Sequence, residues 1–355
     1  MTARVRFGFT TMATLPPADF RGLVRDLEAG GFDDLWVCDS SLHARDVHVT
    51  LALAARESSR LRLGPNCTHP FTRHPAITVN ALATLHELTG GRAALALGAG
   101  DRPVGELGYR PAAVATVREM IRVTRALARG ETVDANGPIA LAGARLAFPL
   151  PAPPLPIYVS ASGDRMLALG GEVADGVLFF AGASVPGVEH ALGRIRAGAA
   201  AAGRSLAGLD VGCTVAGSLR DDLTLARAEC RPMAAWFPQT APGYAALAGV
   251  PASATAAIRD AYEGGHFDAA PRAFAHVTDA MIDAFTIAGD AGVWVQRLKE
   301  LIASGVRHIN VFTLSHNPRA MARALVDQVL PALGGGPGPS SEPIAPAKPA
   351  LGLPR

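Results

Sequence analysis

Residues 61–100 read LRLGPNCTHPFTRHPAITVNALATLHELTGGRAALALGAG, and the order of its patterns decides the fold. An apolar run, LRLGPNCT (61–68), leads into PAITVNALATLHEL, where Pro75 suits the first turn of a helix, and then into a second apolar run, RAALALGAG (92–100). Strand, helix and strand in that order form a βαβ unit. The strand runs are apolar rather than alternating, as parallel strands covered on both faces require.

The same unit recurs on either side. RVRFGFT (4–10) precedes a segment with Phe20, Leu23, Val24 and Leu27 at helical spacing, and DDLWVCD (33–39) precedes an Ala/Leu-rich helix running to Ser59. After residue 100 a helix spans 114–128, with Val117, Met120, Ile121 and Val123 on its buried face. Residues 130–156 interrupt the rhythm: Asn136-Gly137 suits a small hairpin turn, and PLPAPPLP (149–156) is an extended connection. PIYVSA (156–161), GVLFFAG (176–182), DVGCTVAGSL (210–219) and HINVFTL (308–314) complete a series of eight strand candidates. Eight βα units predict an α/β fold, a closed TIM (β/α)8 barrel. The stretch from about 220 to 290 is too long for one connection and predicts extra helices between strands seven and eight. The expected organisation is one barrel domain over 1–333 and a disordered Gly/Pro-rich tail over 334–355.

Composition narrows the function. Charged residues are 18% of the chain and the formal net charge is +2, with no basic stripe to suggest nucleic acid. No spanning apolar segment or signal core is evident, so the expectation is a soluble, cytoplasmic protein with a small-molecule substrate and no membrane partner. Cys38, Cys67, Cys213 and Cys230 form no CxxC pair and are read as free thiols. GAGDRPVG starts like a dinucleotide fingerprint, but Pro103 occupies the third glycine's place. His86-Glu87 starts like a zinc-protease motif, but Gly90 replaces the second histidine, and His69 and His74 lack zinc-site companions. No metal is expected, and loop or capping roles are assigned to those two histidines.

Barrel chemistry sits at the C-terminal strand ends. Those ends carry Thr10 and Thr11; Asp39, Ser40 and Ser41; Asn66, Cys67 and Thr68; Gly98 to Asp101; Ser160 to Asp164; and Ala181 and Gly182. Small residues and hydroxyls with two carboxylates leave an open mouth for a planar ligand with polar edges.

Three stretches, LWVCDSSLHARD (35–46), RHPAITVNALATLHELTGGRAALALGAGD (73–101) and LPIYVSASGDRMLALGGEVADGVLF (155–179), resemble the luciferase-like superfamily of flavin and deazaflavin enzymes. The resemblance runs from RFGFT to SGVRHINVFTL and is closest to the coenzyme F420-dependent methylenetetrahydromethanopterin reductase group. It implies a TIM barrel with an insertion, coenzyme F420 as cofactor and hydride transfer to or from a small organic substrate. It also implies a cis peptide between Asn66 and Cys67, forming a bulge against the cofactor's central ring, with Thr68 beside it. Asp39 and Ser40 would lie near the polar edge of the deazaflavin. Many relatives carry histidine where Ser40 stands, so no histidine acid/base role carries over.

Further assignments follow from the same resemblance. Gly98, Ala99 and Gly100 would clear room for cofactor and substrate, and Asp101, partly buried with a raised pKa, would supply a proton; the alternative for Asp101 is an N-cap or turn acid. Ser160, Ala161, Ser162 and Gly163 would hold the cofactor phosphate at a helix N-terminus, or Ser162 would simply cap that helix. Two other readings stay open: an FMN-dependent monooxygenase supplied by a separate flavin reductase, and a non-catalytic flavin-binding barrel. A homodimer is the family expectation. Trp236, Phe237 and Phe285 are possible pocket formers, although such aromatics are more often core.

Overall fold

In a computed structural model, described over residues 4–262 and 270–335, the strands are β1 (Arg6–Met12), β2 (Asp34–Cys38), β3 (Arg62–Pro65), β4 (Leu95–Leu97), β5 (Val133–Ala135), β6 (Leu141–Ala144), β7 (Ile157–Ala161), β8 (Gly176–Phe180), β9 (Asp210–Leu219), β10 (Thr286–Gly289) and β11 (His308–Thr313). Parallel pairing runs β3-β2-β1-β11-β9-β8-β7-β4. Two isolated parallel bridges, Leu63 to Ala93 and Thr68 to Leu97, close the β3–β4 seam and complete an eight-stranded barrel. The β3 side has one residue more than the β4 side between those bridges, the mark of a bulge, and the cis Asn66–Cys67 peptide lies within it.

Each barrel strand alternates. Residues such as Phe7, Phe9, Leu35 and Val37 face the surrounding helices and are fully buried. Their neighbours fill the barrel in layers: an ionic layer of Arg6, Asp34, Arg62, Asp210 and His308 where these strands start, Trp36 edge-on to Tyr158 above it, then Thr10, Asn310 and Thr214 hydrogen-bonded below the mouth. Gly64 has no side chain because a Cβ there would lie 2.2 Å from the Ala94 carbonyl oxygen and 2.8 Å from the Trp36 ring. The apolar reading of the strands therefore missed a charged layer inside the barrel.

The break at 130–156 contains the expected hairpin, β5 and β6, turning near Gly137 with φ of 117°. After β9 come the helices Leu223–Thr240, Pro242–Leu247, Ala252–Ala261, Pro271–Phe274 and Asp279–Phe285, as the long connection predicts. They are followed by β10, which pairs with the end of β9 and has no counterpart in the sequence reading. The four cysteines are free. Among the described residues no helix is long and apolar enough to cross a membrane and no cluster could hold a metal ion. The expected tail lies, from 336 onward, outside the described residues.

Candidate active site

The C-terminal strand ends surround a cavity of about 220 Å³. Its lining includes the polar Thr10, Thr214, Asn66, Asp39, Ser40 and His69, the thiols Cys38 and Cys67, and the apolar Val104, Phe180, Met233, Trp236 and Phe312. Ser160, Gly100 and Asp101 complete the rim.

Asp39 is buried, and its Oδ2 accepts from Thr68 Oγ1 at 2.7 Å and from the Arg73 guanidinium at 2.7 Å. Arg73 also donates to Asp46, the cap of the next helix, at 2.5 Å. Burial works against the Arg73 charge, but Asp39 and Asp46 hold it above its ordinary value. Thr68 therefore faces Asp39 and positions it; it does not line the cavity. Burial pushes the Cys67 thiol up to about 11 and the Cys38 thiol higher still, so both are neutral near pH 7. Burial also lowers the pKa of His69 against the pull of Asp39, favouring the neutral imidazole.

The glycine run does not simply make room for ligand. A Cβ on Gly98 would sit 2.5 Å from Cys67 Sγ, so Gly98 admits the bulged Cys67 side chain. Gly100 does border the cavity, at a φ of 86° that favours glycine.

Asp101 is exposed, which corrects the expectation of a partly buried acid; its position at the open rim leaves it in contact with solvent. It precedes the helix Arg102–Glu106 without a side-chain cap, and its Oδ2 accepts from Trp236 Nε1 at 2.8 Å. Ala161, Ser162 and Gly163 lie outside the central cavity. Ser162 and Gly163 border a second groove of about 590 Å³ with Asp164, His190 and Tyr244, where the Ser162 carbonyl accepts from Tyr244 at 3.0 Å. The helix Asp164–Val173 starts at Gly163 with no side-chain cap, so Ser162 does not cap it.

The profile of the luciferase-like monooxygenase family matches residues 2–308. The chain belongs to the luciferase-like family. Within it, the chain is 34% identical over 310 residues to the 5,10-methylenetetrahydromethanopterin reductase of Methanolobus tindarius, covering 85% of this chain and 92% of that protein. It is 31% identical over 227 residues to the F420-dependent glucose-6-phosphate dehydrogenase of Beutenbergia cavernae, covering 58% of this chain and 66% of that one. The coenzyme F420-dependent tetrahydromethanopterin reductase structure from Methanopyrus kandleri superposes with a TM-score of 0.82 at 28% identity, over 93% of this chain and all of that one.

Several residues of this luciferase-like site escaped the sequence. His74 does cap its helix, its Nδ1 accepting from the Ala76 amide at 3.2 Å, but His69 turns inward to line the cavity. Arg73 gave no local signal because its role depends on Asp39, supplied by a different strand. Met12, Phe180, Thr214, Met233 and Phe312 read as ordinary barrel or helix residues and reach the cavity only through strand register. Trp236 lines it, whereas Phe237 and Phe285 stack on each other, ring centroids 4.6 Å apart, in the buried core.

Proposed function

We propose that the protein is an F420-dependent oxidoreductase that transfers a hydride between C5 of the deazaflavin and a carbon of a small organic substrate. One observation carries the reading at the level of atoms. Ser40 Oγ, Asn66 Oδ1 and His69 Nδ1 are buried on residues that line the cavity, and none has a hydrogen-bond partner among the described residues. Buried polar atoms rarely go unpaired, so these three suit the polar edge of a planar ligand. The relatives whose names state F420 dependence support the same cofactor.

F420, when bound, supplies the hydride chemistry at C5. Asp39 and Ser40 would hold the polar edge of the ring, with Thr68 and Arg73 fixing the orientation of the Asp39 side chain. Asn66 and Cys67 would press the bulge against the ring, and Gly98 leaves that bulge its space. Ser160 would border the ring, while Ala161, Ser162 and Gly163, at the start of the helix Asp164–Val173, would present backbone amides to the cofactor phosphate. Asp101, oriented by the Trp236 indole, would give or take the substrate proton. Trp236, Met233 and Phe180 would shield the bound ring and substrate from water.

The unit that does this is the barrel of residues 1–333, acting as a cytoplasmic homodimer without a flavin reductase. Light scattering on the purified protein tests the dimer. Anaerobic fluorescence titrations with oxidised F420 and with FMN test the cofactor, followed by a search for substrate-dependent F420 reduction or oxidation without O2. Preference for FMN, with labelled oxygen entering a product, would replace this reading by the monooxygenase; binding without turnover in a broad screen of alcohols, aldehydes and imines would replace it by the binding barrel.

A further inference from the structure

We infer that the part of the substrate entering the cavity beside Asp101 is uncharged and apolar or aromatic, and that Trp236 is the residue that selects it. The inference rests on the oxidoreductase reading and adds a substrate class to it.

The charges on the cavity wall carry the first half. Two carboxylates line it, and they are not equivalent. Asp39 is buried and ion-paired with Arg73 at 2.7 Å, so its charge is compensated within the protein. Asp101 takes a neutral partner, the Trp236 indole, at 2.8 Å. Among the described residues no lysine or arginine lines the cavity. An anionic group brought to this wall meets the Asp101 carboxylate with no lining cation to offset it, and loses its hydration without replacement.

The shape of the wall carries the second half. Val104, Phe180, Met233, Trp236 and Phe312 supply the apolar part of the cavity lining. The Trp236 ring is held by its bond to Asp101 and by Phe180 and Phe237, whose ring centroids lie 5.5 Å and 5.1 Å away. It is a half-buried, fixed aromatic plate placed against the proposed proton donor. A flat apolar group packed on that plate brings its neighbouring polar atom to Asp101. Trp236 comes from the helix Leu223–Thr240 of the insertion, so the insertion sets the selectivity while the barrel sets the chemistry.

A matched pair of probes tests this, benzyl alcohol and benzyl phosphate, titrated calorimetrically into the F420-loaded protein. Benzyl alcohol is expected to bind at least about tenfold tighter than benzyl phosphate. Asp101→Asn, which keeps an acceptor for the indole, is expected to strengthen benzyl phosphate about tenfold and change benzyl alcohol by less than about threefold. Trp236→Ala should weaken benzyl alcohol about tenfold, and Trp236→Phe should restore most of that loss. Benzyl phosphate binding as tightly as the alcohol, no detectable binding of either, or an Asp101→Asn protein that still rejects the phosphate overturns the inference. F420 affinity is measured first on each protein. If F420 does not bind, the oxidoreductase reading fails, and the same titrations on the cofactor-free protein decide the charge selectivity separately.

Discussion

Replacing Asp210 by Asn removes one carboxylate from the ionic layer at the floor of the barrel while keeping the shape of the side chain. Asp210 accepts from Arg6 at 2.5 Å, Arg62 at 3.1 Å, the Tyr158 hydroxyl at 2.7 Å and His308 Nδ1 at 2.9 Å. Asp34, fully buried, would then face Arg6, Arg62 and His308 alone. Breaking a buried pair typically costs about 3–5 kcal/mol, and the Asp210 side chain is 23% exposed, so the lower end, about 3 kcal/mol, applies. With a melting entropy of roughly 2 cal/mol/K per residue, that loss lowers Tm by about 4 °C in a chain of this size.

The pH dependence gives a second signature of the same layer. Burial alone would raise the pKa of Asp34 and of Asp210, but His308, Arg6 and Arg62 hold both well below the carboxylate range. Their contribution is present above the unfolded value near 3.9 and is lost as pH falls through the lower folded values. Burial alone would lower His308, but its bonds to Asp210 and Asp34 raise it. That contribution is complete below about pH 6.5 and is lost as pH rises through the folded value. Asp210→Asn should therefore flatten the acid limb of the stability curve, make the alkaline loss smaller and end it at a lower pH, since only the folded value of His308 falls. Thermal melts by circular dichroism from pH 3 to 9 measure both. A Tm change under about 1 °C at pH 7, with limbs like those of the parent, would refute the argument that the layer is a compensated charge cluster.

Other outcomes are expected at the mouth. Gly98→Ala places a methyl 2.5 Å from Cys67 Sγ, so it should cost about 1–3 kcal/mol by denaturant melting and weaken F420 binding; a neutral result would mean the bulge has slack. Asp101→Asn should lower kcat about 10²–10⁴-fold while F420 affinity changes little, and full activity in the variant would remove the proton role. Arg73→Met leaves the buried Asp39 carboxylate without its cation, which should reduce F420 affinity and stability together; fluorescence titration and melting measure each. Iodoacetamide should modify Cys67 slowly at pH 7 and faster as pH rises toward about 11, with F420 protecting it; rapid labelling at pH 7 would contradict the neutral buried thiol.

The βα rhythm was legible because each unit is local: a strand must show an apolar run and its helix an apolar stripe, whichever neighbour they meet. The barrel, its insertion after β9, the hairpin at Gly137 and the cap at His74 were all written in this short-range grammar. The identity of the strand ends was legible too, because closing the barrel puts chemistry there. The ionic layer was not, since Arg6, Asp34, Arg62, Asp210 and His308 are far apart along the chain and each alone reads as a strand boundary. The close approach of Cys67 to Gly98 was not legible either, because Cys67 arrives from another strand.

By itself, then, the sequence determined the succession of elements, the positions of the strand ends and the residue types that gather at the mouth, because these depend on periodicity within one segment. Only the tertiary structure decided which side chains share a layer, that Asp39 is paired with Arg73 while Asp101 is left to Trp236, and that His69 turns inward. Charge compensation and close approach are properties of pairs brought together by strand register, and register is fixed only when the barrel closes.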